Sequence, residues 1–557
     1  MIALLGRRSA SLVCLLLVVL VAAACGAPDD DEADDDADVA EDETDEPDDE
    51  PDDDEPDDAG DRPDSLVVDN SFVLTTADPG RQWEPTGHTV ARALYDTLFT
   101  FEAGDVSEPV PMLVDDWEMD DDAEHFTFEL RDDVTFTDGS QLTADDVEFS
   151  LRRQRNLLGS GSFLLEEVER IEAVDDLTVE METERPLPTL ISKLTSPALG
   201  IVNREEVEAA GGTAEEGADQ DDEAEAHLNE QSAGSGPFEL ESFSAEEQVV
   251  FTRNDDYWGE VPEFERIVLR NVETETQRLN IQSGESHLVL DLAGRDLEEV
   301  DEAGLQVDSD AAPDSWVMSA NADEELSPVT ASPEFWEAVR HGLDYEELVD
   351  FAGPDTRFAP SVIGEQFLGA LPQDEVPERD LDRVEESLDA AGYDGEDVEL
   401  TYPSDINFNG LAFEPVAEIV QSQLDEAGLS VVLDPAPIET FLERDRDGDT
   451  ELALSPNAPN FPDPEAYLTF MPGALHGERA GWPEDAAPAV TEVGDAARVA
   501  TDDDREEAYR EWQRALQEES PFFPLFQPAE ALVADSSMTG VVYDSNWRVN
   551  LADLGWE

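Results

Sequence analysis

The stretch FTFELRDDVTFTDGSQLTADDVEFSLRR, residues 126 to 153, constrains the fold more than any other part of this chain. Phe126, Phe128 and Leu130 alternate with Thr127, Glu129 and Arg131, the period-two pattern of a strand with one buried face. Asp138-Gly139 predicts a turn. Thr143 stands where a helix N-cap belongs. Asp145 and Asp146 follow in the first turn, at the positive end of the helix dipole, and Val147, Phe149 and Leu151 belong to the helix. Strand, turn and capped helix therefore follow from local chemistry alone. Beyond this stretch, strand patterns such as SLVVDNSFVL (from Ser65), 398–402 and 429–433 alternate with helical ones such as 333–349, 381–392 and 415–428. The predicted class is α/β.

Charge sets the environment. The 557 residues hold 141 acidic and 30 basic side chains, a net of −111. Residues 29 to 64 carry 24 of the acids and one Arg, which leaves about −90 on residues 65 to 557. Such a surface repels itself unless salt screens it. Lys193 is the single lysine. An acidic, lysine-poor chain implies work in high salt and a halophilic source; GC-rich codons would favour Arg over Lys but do not produce the acid excess. Nucleic acid and anionic lipid headgroups are poor partners for this surface.

The N-terminus reads as an export signal. Arg7 and Arg8 precede an apolar run from Leu12 to Val21 that is short for a transmembrane span. Ala22-Ala23-Ala24-Cys25-Gly26 resembles a lipobox, with Ala22 where Leu or Val is usual. The expectation is a signal peptide over 1–24 and a lipid-modified Cys25. Whether export is general or through a twin-arginine route is left open by Ser-Ala-Ser after the arginines. Residues 25–64, rich in Asp, Glu, Pro and Ala, cannot bury enough surface to fold and predict a disordered, self-repelling tether. Cys14 and Cys25 are the only cysteines, so residues beyond 25 have no disulfide available. A second acidic, Gly- and Ala-rich stretch, 204–232, reads as a surface insertion.

The opening stretch resembles "FxLRxxVxFxDGxxLTAxDVxFSL", the signature of the extracellular solute-binding proteins of family 5, the peptide- and nickel-type receptors of ABC importers. Further blocks extend the resemblance. RALYDTLFTF resembles "nvYEgL", GSGPFELESF (234–243) resembles "GTGPYxL", and the block 253–285 carries Tyr257-Trp258-Gly259, for which core packing is the favoured role. PEFWEAVRHGLDYEELV (333–349) and AYREWQRALQEESPFFPLFQP (508–528) resemble later blocks, so most of residues 70 to 540 is covered. The resemblance implies a hinged, two-lobed periplasmic-binding-protein-like fold (type II), with lobe one at 65–310 plus 522–557 and lobe two at 311–521. It implies a monomeric receptor that takes a peptide or peptide-sized polar solute between its lobes and delivers it to membrane permease subunits, held at the outer face of the membrane by its lipid anchor. A peptide sensor or surface chaperone on the same scaffold is the alternative, as is a receptor for an oligosaccharide or metal chelate.

No catalytic set stands out. The histidines (88, 125, 227, 287, 341 and 476) form no metal-binding pair, and there is no GxSxG or P-loop. Asp445-Arg446-Asp447-Gly448-Asp449 departs from a calcium loop, with Thr450 at its sixth position and Pro456 at its twelfth. No enzyme activity, cofactor or metal is expected. The stretch 448–468 instead resembles "GDfDlalxgWxxDyxDPxxfl". In peptide-binding members the Asp before "yxDP" pairs with the peptide's amino group; this chain has Asn460 there, and Asn457 replaces the Trp three residues earlier. A buried ammonium needs a carboxylate. Either the solute lacks a free amine at that point, or Asp463 or another acid supplies the charge, or the loop has drifted without a change of ligand. Asn457, Asn460, Phe461 and Asp463 are the first candidates for ligand contact. Trp316, Asn321, Tyr95 and Trp482 follow, from segments that approach the cleft in the family.

Overall fold

The computed structural model describes residues 64–102 and 104–557. The expected signal peptide, Cys25 and all but the last residue of the acidic tether lie outside them. Ser65–Asn70 lies at the centre of a seven-stranded sheet, parallel to Arg266–Asn271 and to Leu288–Val289. Gln248–Arg253 and Phe238–Ser244 extend it on one side, and Ala529–Ala534 and Gln306–Ala311 on the other. A six-stranded sheet forms the second lobe. Its order is Arg357–Phe358, Phe522–Gln527, Ser315–Ala320, Leu452–Asn457, Asp397–Pro403 and Ser430–Ala436. Asp397–Pro403 is parallel to both of its neighbours, which requires crossovers; the helix Phe413–Glu426 supplies one of them.

The chain passes between the two sheets twice. Gln306–Ala311 closes the first sheet and Ser315–Ala320 opens the second, so residues 312–314 are the outward crossing. The return lies later than the sequence suggests. Phe522–Gln527 was expected to open the second part of lobe one, but it pairs antiparallel with Ser315–Ala320 in the second sheet. Five of its six residues are buried, which suits a strand packed on both faces. The return is therefore at Pro528, between Gln527 and Ala529. The crossings bond to each other: Ala312 N–H donates to the Pro528 carbonyl at 2.8 Å, and Gln527 Nε2 donates to the Ala312 carbonyl at 3.1 Å.

The opening motif folds as its local chemistry predicts. His125–Leu130 is the second strand of a four-stranded antiparallel sheet, with Phe126, Phe128 and Leu130 buried. Thr143 and Asp146 form a reciprocal capping box, with Thr143 N–H donating to Asp146 Oδ2 at 2.9 Å, and the helix runs Ala144–Asn156. The Tyr257-Trp258 pair packs around a buried acid. Asp96 accepts hydrogen bonds from Trp258 Nε1 (2.7 Å), Tyr257 Oη (3.1 Å) and Ser235 Oγ (2.8 Å). Burial pushes Asp96 up to about 6 despite these donors. Gly234 and Gly236 lie against Leu94 and Tyr95, where a Cβ would meet the Leu94 backbone at 2.0 and 2.5 Å.

The stretch 204–232 is not a simple surface insertion. Val207, Ala218, Ala224 and Leu228 are fully buried, and Asp222 anchors the segment. Arg153 bridges Asp222 (2.8 Å) and Asp78 (2.6 Å), and all three side chains are 2% exposed or less. Burial alone would raise Asp222; the bonds and charge of Arg153 outweigh it and hold the carboxylate at about 2. Replacing Arg153 with Met would leave two buried carboxylates with only the partly exposed Arg81, 3.5 Å from Asp78 and 3.1 Å from Asp222. We expect a loss of about 3–5 kcal/mol in unfolding free energy, read as a lowered denaturant midpoint that molar salt does not restore.

Candidate functional site

Two adjoining cavities, about 470 and 600 Å³, open where the crossings meet the lobes. They share Asn407, Asn409, Glu530 and Arg548 as walls. Each volume falls in the range of small-molecule sites. The smaller cavity has an aromatic flank. The His88 ring stands edge-on to Trp83 (5.2 Å) and to Trp547 (4.9 Å), with Phe408 and Phe461 also in the wall. Burial lowers His88 to about 4, so its imidazole is neutral near pH 7.

The floor is polar and lies at the hinge. Asp314 ends the outward crossing, and Glu530 stands two residues beyond Pro528 on the return. A hairpin from the second lobe joins them. Asn407–Phe408 and Leu411–Ala412 pair around a two-residue loop, Asn409-Gly410, whose φ values of 47° and 74° suit a primed turn. The loop reaches the first lobe, where a Cβ on Gly410 would meet Ala293 Cβ at 2.4 Å. Asn409 Nδ2 donates to Asp314 Oδ2 at 3.1 Å and to Glu530 Oε1 at 3.0 Å. Glu530 also accepts from Tyr543 Oη at 3.1 Å. Arg548 is engaged by Asp291 (3.1 Å), by Glu530 (3.7 Å) and by the Leu290 carbonyl. Burial, then the Glu530 charge, pushes the Asp314 carboxyl up to about 7.

Of the eight residues expected near a ligand, Asn460 and Phe461 line the smaller cavity. Phe461 also faces Lys193, whose Nζ lies 5.1 Å from the ring centroid. Asp463 does not supply a free charge. It is 2% exposed, bound by Arg505 (2.5 Å) and by Ser192 Oγ (3.0 Å), and it caps the turn at Pro464–Phe470 through Glu465 N–H. Glu465 next to it meets Arg185 Nη2 at 3.1 Å and Thr189 Oγ1, so this Asp-Pro segment joins the lobes. Asn457 is buried at the end of its strand, with Nδ2 lacking a hydrogen-bond partner. The other four lie outside the two cavities, in packing or hydrogen-bonding positions. Trp316 is fully buried against Phe413, Phe526 and Phe408. Trp482 is buried beside Phe522, and Tyr95 lies in the first-lobe core. Asn321 is spent on the Gly448 carbonyl and Asp323 N–H.

Sequence reasoning missed Asp314, Asn409, Glu530 and Arg548. Signals for three of them were present. Glu530 is a lone charge in the apolar run from Phe522 to Ala534, Asp314 interrupts AAPDSWVM, and Asn-Gly between short apolar runs marks a hairpin.

Two lobes, a double crossing and an interlobe cavity describe a solute-binding architecture. Residues 108–477 match the profile of the bacterial extracellular solute-binding proteins, family 5. The chain belongs to that family. The probable D,D-dipeptide-binding periplasmic protein DdpA of Escherichia coli is 24% identical over 86% of this chain and 92% of its own length. Di/tripeptide-binding protein 2 of Pseudomonas aeruginosa is 26% identical over 84% of this chain and 90% of its own. Among solved structures, the ABC transporter substrate-binding protein CtaP of Listeria monocytogenes superposes with a TM-score of 0.76 at 20% identity, covering 88% of this chain and 99% of that one. The periplasmic binding protein DppA of Helicobacter pylori, solved with the peptide STSA, gives 0.69 at 21% identity, covering 88% and 98%. These likenesses establish the two-lobed family 5 fold. No helix among the described residues of this family member is long and apolar enough to cross a membrane.

The raised Asp314 makes a signed prediction. Its folded value of about 7 exceeds its ordinary 3.8, so the folded state holds a proton that the unfolded state releases between those values. Its contribution to stability is full below pH 4 and falls away as pH rises to 7. Asp314→Asn removes that loss. The variant should gain on the wild type with rising pH, by more than about 1 kcal/mol above pH 7, measured as the difference in denaturant midpoints across pH 4–8.

Proposed function

We propose that this protein is the substrate-binding receptor of an ABC importer, taking a peptide or peptide-sized polar solute into the interlobe cleft and delivering it to a membrane permease. The observation that carries the reading is the pair of adjoining cavities at the double crossing, with an aromatic flank on one side and hydrogen-bonding groups across the floor. Aromatic faces bury apolar parts of a solute, while a few fixed polar groups orient it. Relatives named for dipeptides and tripeptides support the peptide class. Ligand contact is assigned to Asn460, Phe461, Trp83, Trp547, Asp314 and Glu530. The protein binds and closes by hinge motion, and does no covalent chemistry.

Its setting follows from the sequence. The receptor is held at the outer face of the membrane through a lipid on Cys25, the acidic tether spaces it from the bilayer, and it works as a monomer in high salt. The net of −111 supports the halophilic assignment, because such a charge needs screening.

The test uses the purified protein in molar potassium chloride. Dialysis against cell extract followed by native mass spectrometry should recover peptide-mass solutes. Their addition should shift the tryptophan emission, through Trp83 and Trp547, and shrink the radius of gyration. Recovery of empty protein with neither change would overturn the receptor reading.

A further inference from the structure

Acceptors gather at the hinge floor of the cleft, around Asp314 and Glu530, while the unpartnered donor Asn546 Nδ2 lies elsewhere in the wall. Asp314 and Glu530 face one another across a single amide nitrogen, Asn409 Nδ2, at 3.1 and 3.0 Å. Asn409 Oδ1, a further acceptor, is buried without a partner. Buried polar atoms left unpaired are costly, and a polar ligand that meets them recovers the loss.

The charge balance points the same way. The two cavities present six carboxylates, Asp291, Asp314, Glu530, Glu273, Glu275 and Asp296, against the one guanidinium of Arg548. That guanidinium is already committed to Asp291, Glu530 and the Leu290 carbonyl. His88 is neutral. An anionic solute would therefore find no uncommitted cation among the lining residues. Acid excess alone would follow from the composition of the whole chain. What sets Asp314 and Glu530 apart is their place: they stand at the two crossings, half-buried and bridged by one amide nitrogen, where salt screens a charge pair less than it does at the open surface.

We propose that Asp314 and Glu530 form the cation-recognition point of the cleft, so that the receptor selects solutes carrying an ammonium or guanidinium group over neutral and anionic ones of the same size. The inference rests on the cleft being the solute site. It moves the charge from Asn460, where a peptide receptor of this family would carry it, to the two crossings. The Asn409 amide marks the place of a bridging N–H donor, and a ligand cation adds to or displaces it. Because the acids sit on opposite crossings, a cation between them also draws the hinge segments together.

The test is a charge series on one scaffold, measured by calorimetry in molar potassium chloride. Trialanine is used with an amidated C-terminus (cation), with both ends capped (neutral), and with an acetylated N-terminus and free carboxylate (anion). Spermidine and maltotriose form a non-peptide pair. The cationic trialanine should bind roughly tenfold or more tighter than the neutral form, in line with a charge-assisted hydrogen bond, and the anion weakest. In Asp314→Asn with Glu530→Gln the cationic preference, taken as the ratio of cationic to neutral affinity within the variant, should fall below about threefold; unchanged circular dichroism confirms the fold. Equal or tighter binding of the neutral or anionic form would overturn the charge inference and leave the receptor reading intact. Spermidine binding without any trialanine form would uphold the charge inference and overturn the peptide class. Binding of none of the five would overturn both.

Discussion

The bond between the two crossings, Ala312 N–H to the Pro528 carbonyl, is the constraint from which the rest of the molecule follows. It holds together the two places where, among the described residues, the chain leaves one sheet for the other. Each lobe can complete its own sheet, yet the two stay joined along one edge. A cleft open on the opposite side is the consequence. Residues next to the crossings, Asp314 and Glu530, necessarily form its floor, and an ion placed there touches both lobes at once.

A second layer of contacts limits how the lobes approach. Asp463 and Glu465 of the second lobe meet Ser192, Arg185 and Thr189 of the first. The Asn409-Gly410 tip reaches Ala293 and ties the floor acids. These contacts are polar, and apolar ones run beside them: Phe163 of the first lobe faces Phe461 of the second at 6.4 Å, in a buried cluster that draws on both lobes. Polar contacts of this kind exchange for water at modest net cost, which suits surfaces that separate and rejoin. The single lysine, Lys193, lies at this junction beside Phe461 and Glu167. A compact ammonium is kept here, on an otherwise arginine-based protein.

How far the sequence could be read depended on the range of the interactions. Thr143 and Asp146 announce their capping box because the partners are three residues apart. The alternation at Phe126, Phe128 and Leu130 needs only the neighbouring residues to define a buried face. The Asp463-Pro464 motif was legible as a landmark, but its role was not. Arg505, which takes the charge of Asp463, lies 42 residues away, and Ser192 lies 271 away. Phe522–Gln527 was assigned to the wrong lobe for the same reason: its composition says buried strand, and its partner, Ser315–Ala320, is some 200 residues upstream. Trp316, Trp482 and Tyr95 were candidates because their segments approach the cleft in the family, and aromatic side chains serve both a core and a pocket. Only their neighbours decide between the two.

By itself, the sequence determined the family, the α/β class, the acidic character and the absence of a charge at Asn460. Each of these is written in local patterns or in totals. Tertiary structure alone decided which acids stand together at the hinge. Asp314, Asn409 and Glu530 are separated by 95 and 121 residues, and no local pattern relates them. They meet because strand pairing sets the crossings side by side and a hairpin turn delivers an amide between them. A carboxylate in a sequence is only an acid. A place at the hinge, beside a second carboxylate, is what lets it face a cation from both lobes.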